Sequence, residues 1–273
     1  MAFLGAAYHS EPAMSPQKVA LVVGASRGLG LEFVSQLLSR PGCRVVAACR
    51  NPTNATQLQQ LRSQHPDKLS VVMLDSTNEE SIQAAAVEVS RQHQHLDLLL
   101  NVAGVLHIPD VMSPETALAR VTAENLMRVF QTNAFGPILV SKAFTPLLVK
   151  AAEANAATSE RPAVIANLSA RVGSIGDNRL GGWYSYRASK TALNQLTKTM
   201  SLEFARRKQP VSCILLHPGT CDTGLSAPFQ KNVQPAKLFT RERAVQQLLQ
   251  IIDRTTCKEN GKFFAWDGQE VPW

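Results

Sequence analysis

The sequence predicts an α/β protein built on a doubly wound parallel sheet of about seven strands, with helices on both faces. Short runs rich in Val, Leu and Ile alternate with longer stretches of helical period, which is typical of repeated strand–helix–strand units. The apolar runs are continuous, as expected for parallel strands covered on both faces, and the intervals are long enough for crossover helices. The predicted strands are 19–23, 44–49, 70–74, 96–101, 163–168, 211–216 and 261–266.

The size and composition of the chain fit one globular domain. Of its 273 residues, 45% are hydrophobic and 18% charged, which suffices for a full core. We predict a loose tail over residues 1–17 and one domain over residues 18–273. The tail lacks the basic region of a signal peptide, and its Glu11 is unusual in a transit peptide. The five cysteines are odd in number and form no CxxC motif, so a reducing, cytoplasmic location is expected.

The charge distribution gives no sign of a macromolecular partner. An excess of Lys and Arg gives a net charge of +7, but these charges are scattered, and the tight cluster at 206–208 precedes a predicted helix end, where cations are favourable. Without a basic stripe or an aromatic platform, nucleic-acid binding is not expected. Polar residues interrupt the longest apolar stretches before the ~20 residues of a membrane span. His93 and His95 lack the neighbouring ligands of a metal site, so no metal is predicted.

Two local patterns organise the intervals between the strands. Thr77 followed by Glu80 predicts a capping box before a helix over 82–89. Residues 106–120 and 219–240 have no clear periodicity and carry several Pro or Gly, so both are predicted to be loop-rich. The second of these segments is a candidate lid over a substrate.

A glycine-rich turn follows the first predicted strand and opens into an apolar helical run. A strand that turns tightly into a helix leaves backbone N–H groups at the positive end of the helix dipole, where a pyrophosphate binds. The spacing is GxxxGxG rather than the common GxGxxG. The alternative is an ordinary Gly-rich turn. The predicted nucleotide contacts are Gly24, Ser26, Arg27, Gly28, Leu29 and Gly30.

The end of the second strand bears on the choice of nucleotide. An Asp or Glu at this point would bind the adenosine ribose and reject a 2′-phosphate, but here the strand ends in Cys49 and Arg50. A guanidinium can fork onto a phosphate, and Arg27 can supply a second cation. NADP(H) is therefore preferred over NAD(H), although Arg50 could also be a solvated charge at a strand end.

The ends of the third and fourth strands carry weaker candidates. Asp75 could accept a hydrogen bond from an adenine amine, or it could cap the following helix, and the sequence does not decide between these roles. In the segment 101–104, Gly104 allows a ligand to approach the backbone closely. The same segment could be a simple strand-end turn.

Tyr186 and Lys190 open a predicted helix and lie four residues apart, so they share one helix face. A phenol with a pKa near 10 is a weak proton donor at neutral pH, but a nearby ammonium favours the phenolate and lowers that pKa. The pair is therefore a candidate acid–base site. Tyr184 is the rival phenol, but four residues after it comes Ala188, which carries no charge.

Two further polar residues stand where a ligand crevice is expected. Ser169 follows the fifth predicted strand, where a hydroxyl can bond to a substrate carbonyl and stabilise its developing charge. Asn133 follows a helical stretch, and its amide could hold a proton-relay water in a kink. Taken alone, a residue of either kind is more often an ordinary cap or turn residue. His217 and Cys221 are interpreted as packed, inert residues.

With these motifs in order along the chain, the sequence resembles the short-chain dehydrogenase/reductases, a family with a Rossmann-type sheet. The resemblance runs from Lys18 to the end of the chain. The long segment 169–186, with its runs 173–178 and 181–187, and the ending 266–273 are similar to those of its C-factor and sniffer-type carbonyl reductase branch. The matching motifs are Gly24-x-x-x-Gly28-x-Gly30, Asn101-x-Ala103-Gly104, Asn133, Ser169, Tyr186-x-x-x-Lys190 and Pro218-Gly219.

This resemblance implies a role for each catalytic candidate. Tyr186 would be the general acid, Lys190 would lower its pKa and bind the nicotinamide ribose, Ser169 would orient the carbonyl, and Asn133 would hold the relay water. Thr223 would contact the nicotinamide carboxamide. Three positions depart from the family pattern without removing a catalytic group: Cys221, Val102 and Ser76. The remaining implied cofactor contacts are Ser76, Asn101, Ala103, Gly104, Pro218 and Gly219.

The sequence thus predicts an NADP(H)-dependent oxidoreductase that reduces a small-molecule carbonyl to an alcohol. The alternative is a nucleotide-binding signalling or scaffold protein with incidental turnover. The substrate would be selected by the irregular segments 106–120, 171–185 and 219–240. A homo-oligomer could form through the helical segments 115–131 and 138–154, although their apolar residues could equally serve the sheet.

Overall fold

The computed structural model describes residues 17–156 and 161–273. Its main sheet has seven parallel strands in the order β3-β2-β1-β4-β5-β6-β9. This confirms the predicted fold class, and each predicted strand coincides with an observed one to within about two residues at either end. The predicted tail lies outside the described residues except for Gln17. In chain order the strands are β1 (Lys18–Val23), β2 (Cys43–Cys49), β3 (Leu69–Met73), β4 (Leu98–Asn101), β5 (Ala163–Leu168), β6 (Val211–His217), β7 (Thr220–Cys221), β8 (Leu238–Phe239) and β9 (Phe263–Ala265).

Two layers of helices cover the sheet, which explains why its strands are apolar on both faces. In β1, Ala20 and Val22 face one core, with α1, α2 and α7, and Leu21 faces the other, with α3, α5 and the end of α6. The helices are α1 (Gly28–Leu38), α2 (Thr56–Gln64), α3 (Glu79–Gln92), α4 (Ala123–Phe130), α5 (Gly136–Ala156), α6 (Tyr184–Arg206) and α7 (Arg241–Arg254).

The predicted capping box at the start of α3 is wrong by one residue. The N-cap is Asn78, whose side chain accepts a hydrogen bond from the Ser81 N–H at 2.8 Å. The Thr77 side chain is directed at Asp75 instead, because its N–H and hydroxyl both donate to Asp75 Oδ1, at 2.9 and 2.7 Å. The Asp75 carboxylate therefore shapes the turn into α3.

The helical run Ala123–Asn155 is long and apolar enough to cross a membrane by length and composition alone. Half of its most apolar window is buried inside the structure. Phe144 and Leu148 of α5 are completely buried in the core beneath the sheet. The apolar character of this run therefore has an explanation in the packing of the core.

The irregular segment 219–240 has fixed ends. Within it, β7 and β8 pair in parallel, with Cys221 opposite Phe239. The Phe239 ring packs edge-on against Trp266 at 4.7 Å, and the Arg243 guanidinium lies 3.9 Å from the centre of the Phe239 ring. We call the β7–β8 pair with Phe239, Trp266 and Arg243 the clasp. The segment is thus less irregular than its sequence predicts, and its role as a lid stays a prediction.

Candidate active site

The glycine-rich turn between β1 and α1 has a geometry that side chains would prevent. Gly24 has φ +89°, and a Cβ there would lie 2.8 Å from the Ala103 nitrogen. A Cβ on Gly30 would lie 2.1 Å from the Gly24 carbonyl oxygen. The N-cap residue of α1, Arg27, makes no side-chain hydrogen bond to the helix, and the first turn of α1 has no acidic residue. The N–H groups at the start of α1 can therefore receive an anion, so the residues fit a bound pyrophosphate.

The structure brings distant predicted contacts to this turn. A Cβ on Gly28 would lie 3.8 Å from Thr223 Cγ2, so the segment after β6 closes against the turn. At the end of β6, Gly219 has φ +78°, and a Cβ there would lie 2.7 Å from the Phe239 ring. Pro218 and Gly219 therefore lead directly from the sheet into the clasp, and the residues predicted to hold the two ends of a dinucleotide share one edge of the sheet.

Two arginines flank the turn. The N–H groups of Gly24 and Ala25 donate to Ala48 in β2, so the turn lies beside the strand that Arg50 follows. Arg27 and Arg50 are both exposed, and neither forms an ion pair among residues 17–156 and 161–273. Both guanidinium groups are available for an external phosphate.

The end of β4 is held by a buried polar network. The Asn101 side-chain amide donates to Asn167 Oδ1 at 2.8 Å and to Ser141 Oγ at 3.3 Å, which links β4, β5 and α5. The Asn101 side-chain nitrogen is therefore used internally, and its cofactor contact stays a prediction. Ser76 is also buried, and a Cβ on Gly136 would lie 2.7 Å from its carbonyl oxygen, so Ser76 packs against the start of α5.

Tyr186 and Lys190 lie in the first two turns of α6, as predicted, and both are buried. Lys190 Nζ lies 5.9 Å from the centre of the Tyr186 ring and donates to the Leu168 carbonyl oxygen at 2.8 Å. A Cβ on Gly104 would lie 3.6 Å from Lys190 Nζ and 3.4 Å from Asn133 Oδ1. The ends of β4, β5 and α6 therefore meet at one point of the crevice.

Burial changes the proton affinity of both groups. It raises the pKa of Tyr186 to about 12 and lowers the pKa of Lys190 to about 8, because each loses solvation of its charged form. The expected lowering of the Tyr186 pKa is therefore not found in the protein alone. Desolvation outweighs an ammonium 5.9 Å from the ring, whose proton is directed at the Leu168 carbonyl.

Ser169 follows β5, as predicted, and its hydroxyl points at a residue that the sequence interpretation missed. Its Oγ donates to Asn194 Oδ1 at 2.6 Å, and both side chains are buried. Asn194 lies four residues after Lys190 and eight after Tyr186 on α6, so the same helical spacing that joins Tyr186 to Lys190 could have identified it.

Asn133 lies in a π-helical turn, Gln131–Phe135, between α4 and α5. Its side chain is fully buried and clamps the backbone of Val105, accepting from its N–H and donating to its carbonyl, both at 2.8 Å. The same amide nitrogen also donates to Ser189 Oγ at 3.1 Å. The expected kink is present, but the amide holds protein groups, and its contact with a relay water stays a prediction.

A second missed residue, Glu115, secures the start of α6. Its carboxylate accepts from the Ser185 N–H at 3.1 Å and from the Ser185 hydroxyl, and its carbonyl accepts from the Trp183 N–H at 2.5 Å. Trp183 has φ +53°, a left-handed conformation that is unfavourable for a bulky residue. The buried Glu115 carboxylate thus acts as the N-cap of α6 from a remote loop.

Replacing Glu115 with Ala is expected to lower the free energy of unfolding by about 1–3 kcal/mol, because two buried donors on Ser185 lose their acceptor. Chemical denaturation measures this change. The Glu115→Gln variant keeps an acceptor oxygen and should lose less. Glu124→Ala, which removes an exposed ion pair with Arg128, is the control and should change stability by less than about 1 kcal/mol. Equal losses for the two alanine variants would show that the Glu115 cap contributes no more to stability than an exposed ion pair does.

Three irregular segments meet beside Tyr186 through aromatic contacts. The Trp183 ring lies 6.2 Å from the Tyr186 ring and 5.2 Å from Phe229, and Phe229 lies 5.7 Å from His107. His107 Nε2 also contacts the Gly224 carbonyl at 3.0 Å. Segments 106–120, 171–185 and 219–240 therefore meet beside the Tyr186 ring, and these are the segments that the sequence predicts to select the substrate.

Burial keeps the side chains of Cys221 and His217 uncharged at neutral pH. Burial raises the pKa of Cys221 to about 12, so its thiol stays protonated. Burial lowers the pKa of His217 to about 4, so its ring stays neutral. Within the described ranges, no group of three or more His, Cys, Asp or Glu residues is arranged to hold a metal.

Together the fold and the site define a nucleotide-dependent oxidoreductase: a doubly wound sheet has an anion-receiving turn at one strand end and a buried Tyr–Lys pair across the same edge. The comparisons with known proteins give the family. The family model described as short chain dehydrogenase matches residues 18–234, and the chain belongs to that family.

Two solved structures are similar over nearly the whole chain. The NADPH-bound carbonyl reductase from chicken fatty liver is 34% identical with a TM-score of 0.83, over 94% of this chain and 99% of that one. The carbonyl reductase Sniffer of D. melanogaster is 30% identical with the same TM-score, over 95% and 100%. Among curated proteins, the C-signal of Myxococcus xanthus is 33% identical over 178 residues, 65% of this chain and 93% of that protein.

Proposed function

We propose that this chain is an NADP(H)-dependent reductase that converts a small-molecule carbonyl to an alcohol, with Tyr186 as the general acid. The observation that carries the proposal is the convergence of Tyr186, Lys190 and Ser169 at the sheet edge that also carries the glycine turn. The likeness to an NADPH-bound carbonyl reductase supports the cofactor and the reaction.

The residues of this chain divide the binding of the dinucleotide among them. The N–H groups at the start of α1 hold the pyrophosphate, and Arg27 and Arg50 bind the 2′-phosphate. Thr223 and Gly219 border the nicotinamide end. When bound, the cofactor supplies a hydride to the carbonyl carbon.

Tyr186 delivers the proton that completes the reduction. Its hydroxyl, protonated at neutral pH because its pKa is about 12, donates to the carbonyl oxygen as the carbon accepts the hydride. The C=O double bond becomes a C–O single bond, and the phenolate left on Tyr186 takes its next proton from solvent. Lys190 stabilises this phenolate by its positive charge, and Ser169 aligns the substrate oxygen.

Titration with NADPH and with NADH, followed by fluorescence, tests the proposal at its base. NADPH should bind at least about tenfold more tightly, because charge-assisted hydrogen bonds to the 2′-phosphate have no counterpart in NADH. A carbonyl screen that monitors loss of NADPH then tests the reaction. Equal binding of the two nucleotides would overturn the NADP preference. If neither nucleotide bound, the proposal that this chain is a nucleotide-dependent enzyme would be refuted.

The pH dependence of reduction is expected to report Lys190. Its pKa of about 8 means that the ammonium is charged below this pH and neutral above it. The kcat/KM for reduction should therefore be constant below about pH 7 and fall as pH rises through 8, while Tyr186 remains protonated. Measured on the Lys190→Met variant, the profile should be low and flat over this range. If kcat/KM of that variant still fell as pH rises through 8, another group would be the cause of the fall.

A second candidate is a nucleotide-binding signalling or scaffold protein, which the likeness to the C-signal of Myxococcus xanthus favours. The enzyme needs proton transfer by Tyr186, whereas the scaffold does not. A cellular effect that survives the Tyr186→Phe change would support the scaffold, and one that disappears would support the enzyme.

The proposal also covers the domain organisation, the location and the oligomeric state of the chain. Residues 18–273 form one domain, the location is cytoplasmic, and two copies pair through the α4–α5 region. Met127 and Phe135 support the pairing because both are large, apolar and exposed on this region.

A further inference from the structure

Three consecutive residues at the start of α6 have left-handed backbone conformations. Gly181, Gly182 and Trp183 have φ values of +62°, +67° and +53°. We call these three residues the left-handed turn. Glycine adopts this conformation readily, but for a tryptophan it is unfavourable and persists only where the surroundings hold it. Contacts from outside the turn must therefore keep Trp183 in place.

The Arg187 side chain, in the first turn of α6, holds the left-handed turn. Its Nε donates to the carbonyl oxygens of Gly181 and Gly182 at 3.1 and 2.9 Å, and its Nη1 donates to the Val172 carbonyl at 3.3 Å. Bonds from a guanidinium are charge-assisted, and its planar fork fixes the directions of several acceptors at once. Arg187 therefore ties both ends of segment 172–182 to α6.

The Trp183 ring lies beside the space that a substrate needs. In the proposed reduction, the carbonyl lies between the Tyr186 hydroxyl and the nicotinamide end of the cofactor, which Thr223 borders. The Trp183 ring contacts both Tyr186 and Phe229, from the same segment as Thr223, with 6.2 and 5.2 Å between the ring centres. The indole is only partly buried. It therefore joins the helix that carries the acid to the segment that borders the cofactor.

We propose that Arg187 is a positioning residue: by holding the left-handed turn, it fixes the Trp183 indole as a wall of the substrate space. The inference rests on the proposed carbonyl reduction at this site. A flat apolar group beside the carbonyl gains most from such a wall, because aromatic contacts add to the gain from burial. An indole that is already fixed does not have to be ordered when the substrate binds, so Arg187 raises affinity without touching the substrate.

A double-mutant cycle of Arg187→Met and Trp183→Leu tests the proposal, with acetophenone and butanone as the probes. Both probes are methyl ketones, but only acetophenone carries a ring, so its KM in the wild type should be the lower. Arg187→Met should raise the KM for acetophenone by about threefold to tenfold, the cost of ordering one side chain on binding, and that for butanone by less than about twofold. In the Trp183→Leu background, Arg187→Met should leave the KM for acetophenone unchanged.

Hydrogen exchange followed by mass spectrometry tests the hold on the turn without turnover. The Trp183 N–H donates to the Glu115 carbonyl, and segment 172–183 should exchange about tenfold faster in Arg187→Met, the worth of a charge-assisted hydrogen bond. Arg187→Lys keeps the charge but not the planar fork, so it should show the same change to a smaller degree. Arg206→Met removes an exposed arginine at the other end of α6 and is the matched control, which should change neither exchange nor KM.

Wild-type exchange of segment 172–183 in both Arg187 variants would overturn the hold of Arg187 on the turn. Equal rises in KM for the two ketones, or the same effect of Arg187→Met with and without the indole, would overturn its action through Trp183. A fall in kcat as large as the rise in KM would show a general loosening of α6 and overturn it as well. A wild-type chain that reduces no carbonyl would instead refute the proposed function, and with it the substrate role of Trp183, even where exchange shows that Arg187 holds the turn.

Discussion

The Tyr186→Phe variant is expected to lose carbonyl reduction by about a thousandfold in kcat, within the range for removing a general acid, and to bind NADPH as tightly as the wild type. The change removes the transferable proton and keeps the ring. Its edge contact with Trp183 and its burial are therefore retained. Steady-state kinetics and nucleotide titration on the same preparation separate the loss of chemistry from the loss of binding.

The chain supplies a matched control two residues earlier. Tyr184 is on the same helix but 40% exposed, and no lysine follows it at the helical spacing. The Tyr184→Phe variant should therefore keep kcat within about twofold, since surface changes of this kind are usually small. Comparable losses in the two variants would show a structural effect on α6. Full activity of Tyr186→Phe would mean that another group or a water provides the proton.

The Arg50→Asp variant is expected to weaken NADPH binding by about 100-fold, because it replaces a charge-assisted donor with a carboxylate that repels the 2′-phosphate. NADH affinity should stay the same or increase, since a carboxylate at the end of β2 can accept from the ribose hydroxyls. Fluorescence titration with both nucleotides measures the reversal of preference.

Arg44 provides the control for this charge change. Arg44 is exposed near the start of β2, whereas Arg50 follows the end of β2 beside the glycine turn. Arg44→Asp changes the net charge by the same amount and should leave the NADPH to NADH ratio unaltered. If both variants weakened NADPH binding equally, the effect would come from the overall charge of the protein.

The sheet could be predicted from the sequence because most of its strands are buried on both faces and are therefore largely apolar runs. Val22 and Leu21 illustrate this, since they face opposite cores and both must be apolar. The start of α3 was predicted less well. Thr77 and Asn78 are both good caps by type, and in the folded chain Asn78 caps the helix while the Thr77 side chain is bonded to Asp75.

The catalytic candidates were identified where local spacing carries the chemistry, as with Tyr186 and Lys190. Glu115 was missed because a remote cap is a contact between segments far apart in sequence, with no local pattern. The direction of the Tyr186 pKa was also mispredicted. A charge partner can be seen in the sequence, whereas the loss of solvation depends on how deeply the fold buries the ring.

The clasp has a consequence for how this chain can change over evolution. The clasp joins Cys221 to Phe239, so the residues between them form a loop whose two ends are held together. Each doubling of the length of such a loop costs only ~0.6 kcal/mol of loop-closure free energy. We therefore expect residues 224–237, between Thr223 and the second strand of the clasp, to tolerate exchange, addition or deletion while Gly219 and the glycine turn keep their geometry. We therefore expect changes of substrate to arise in this loop while the glycine turn is kept.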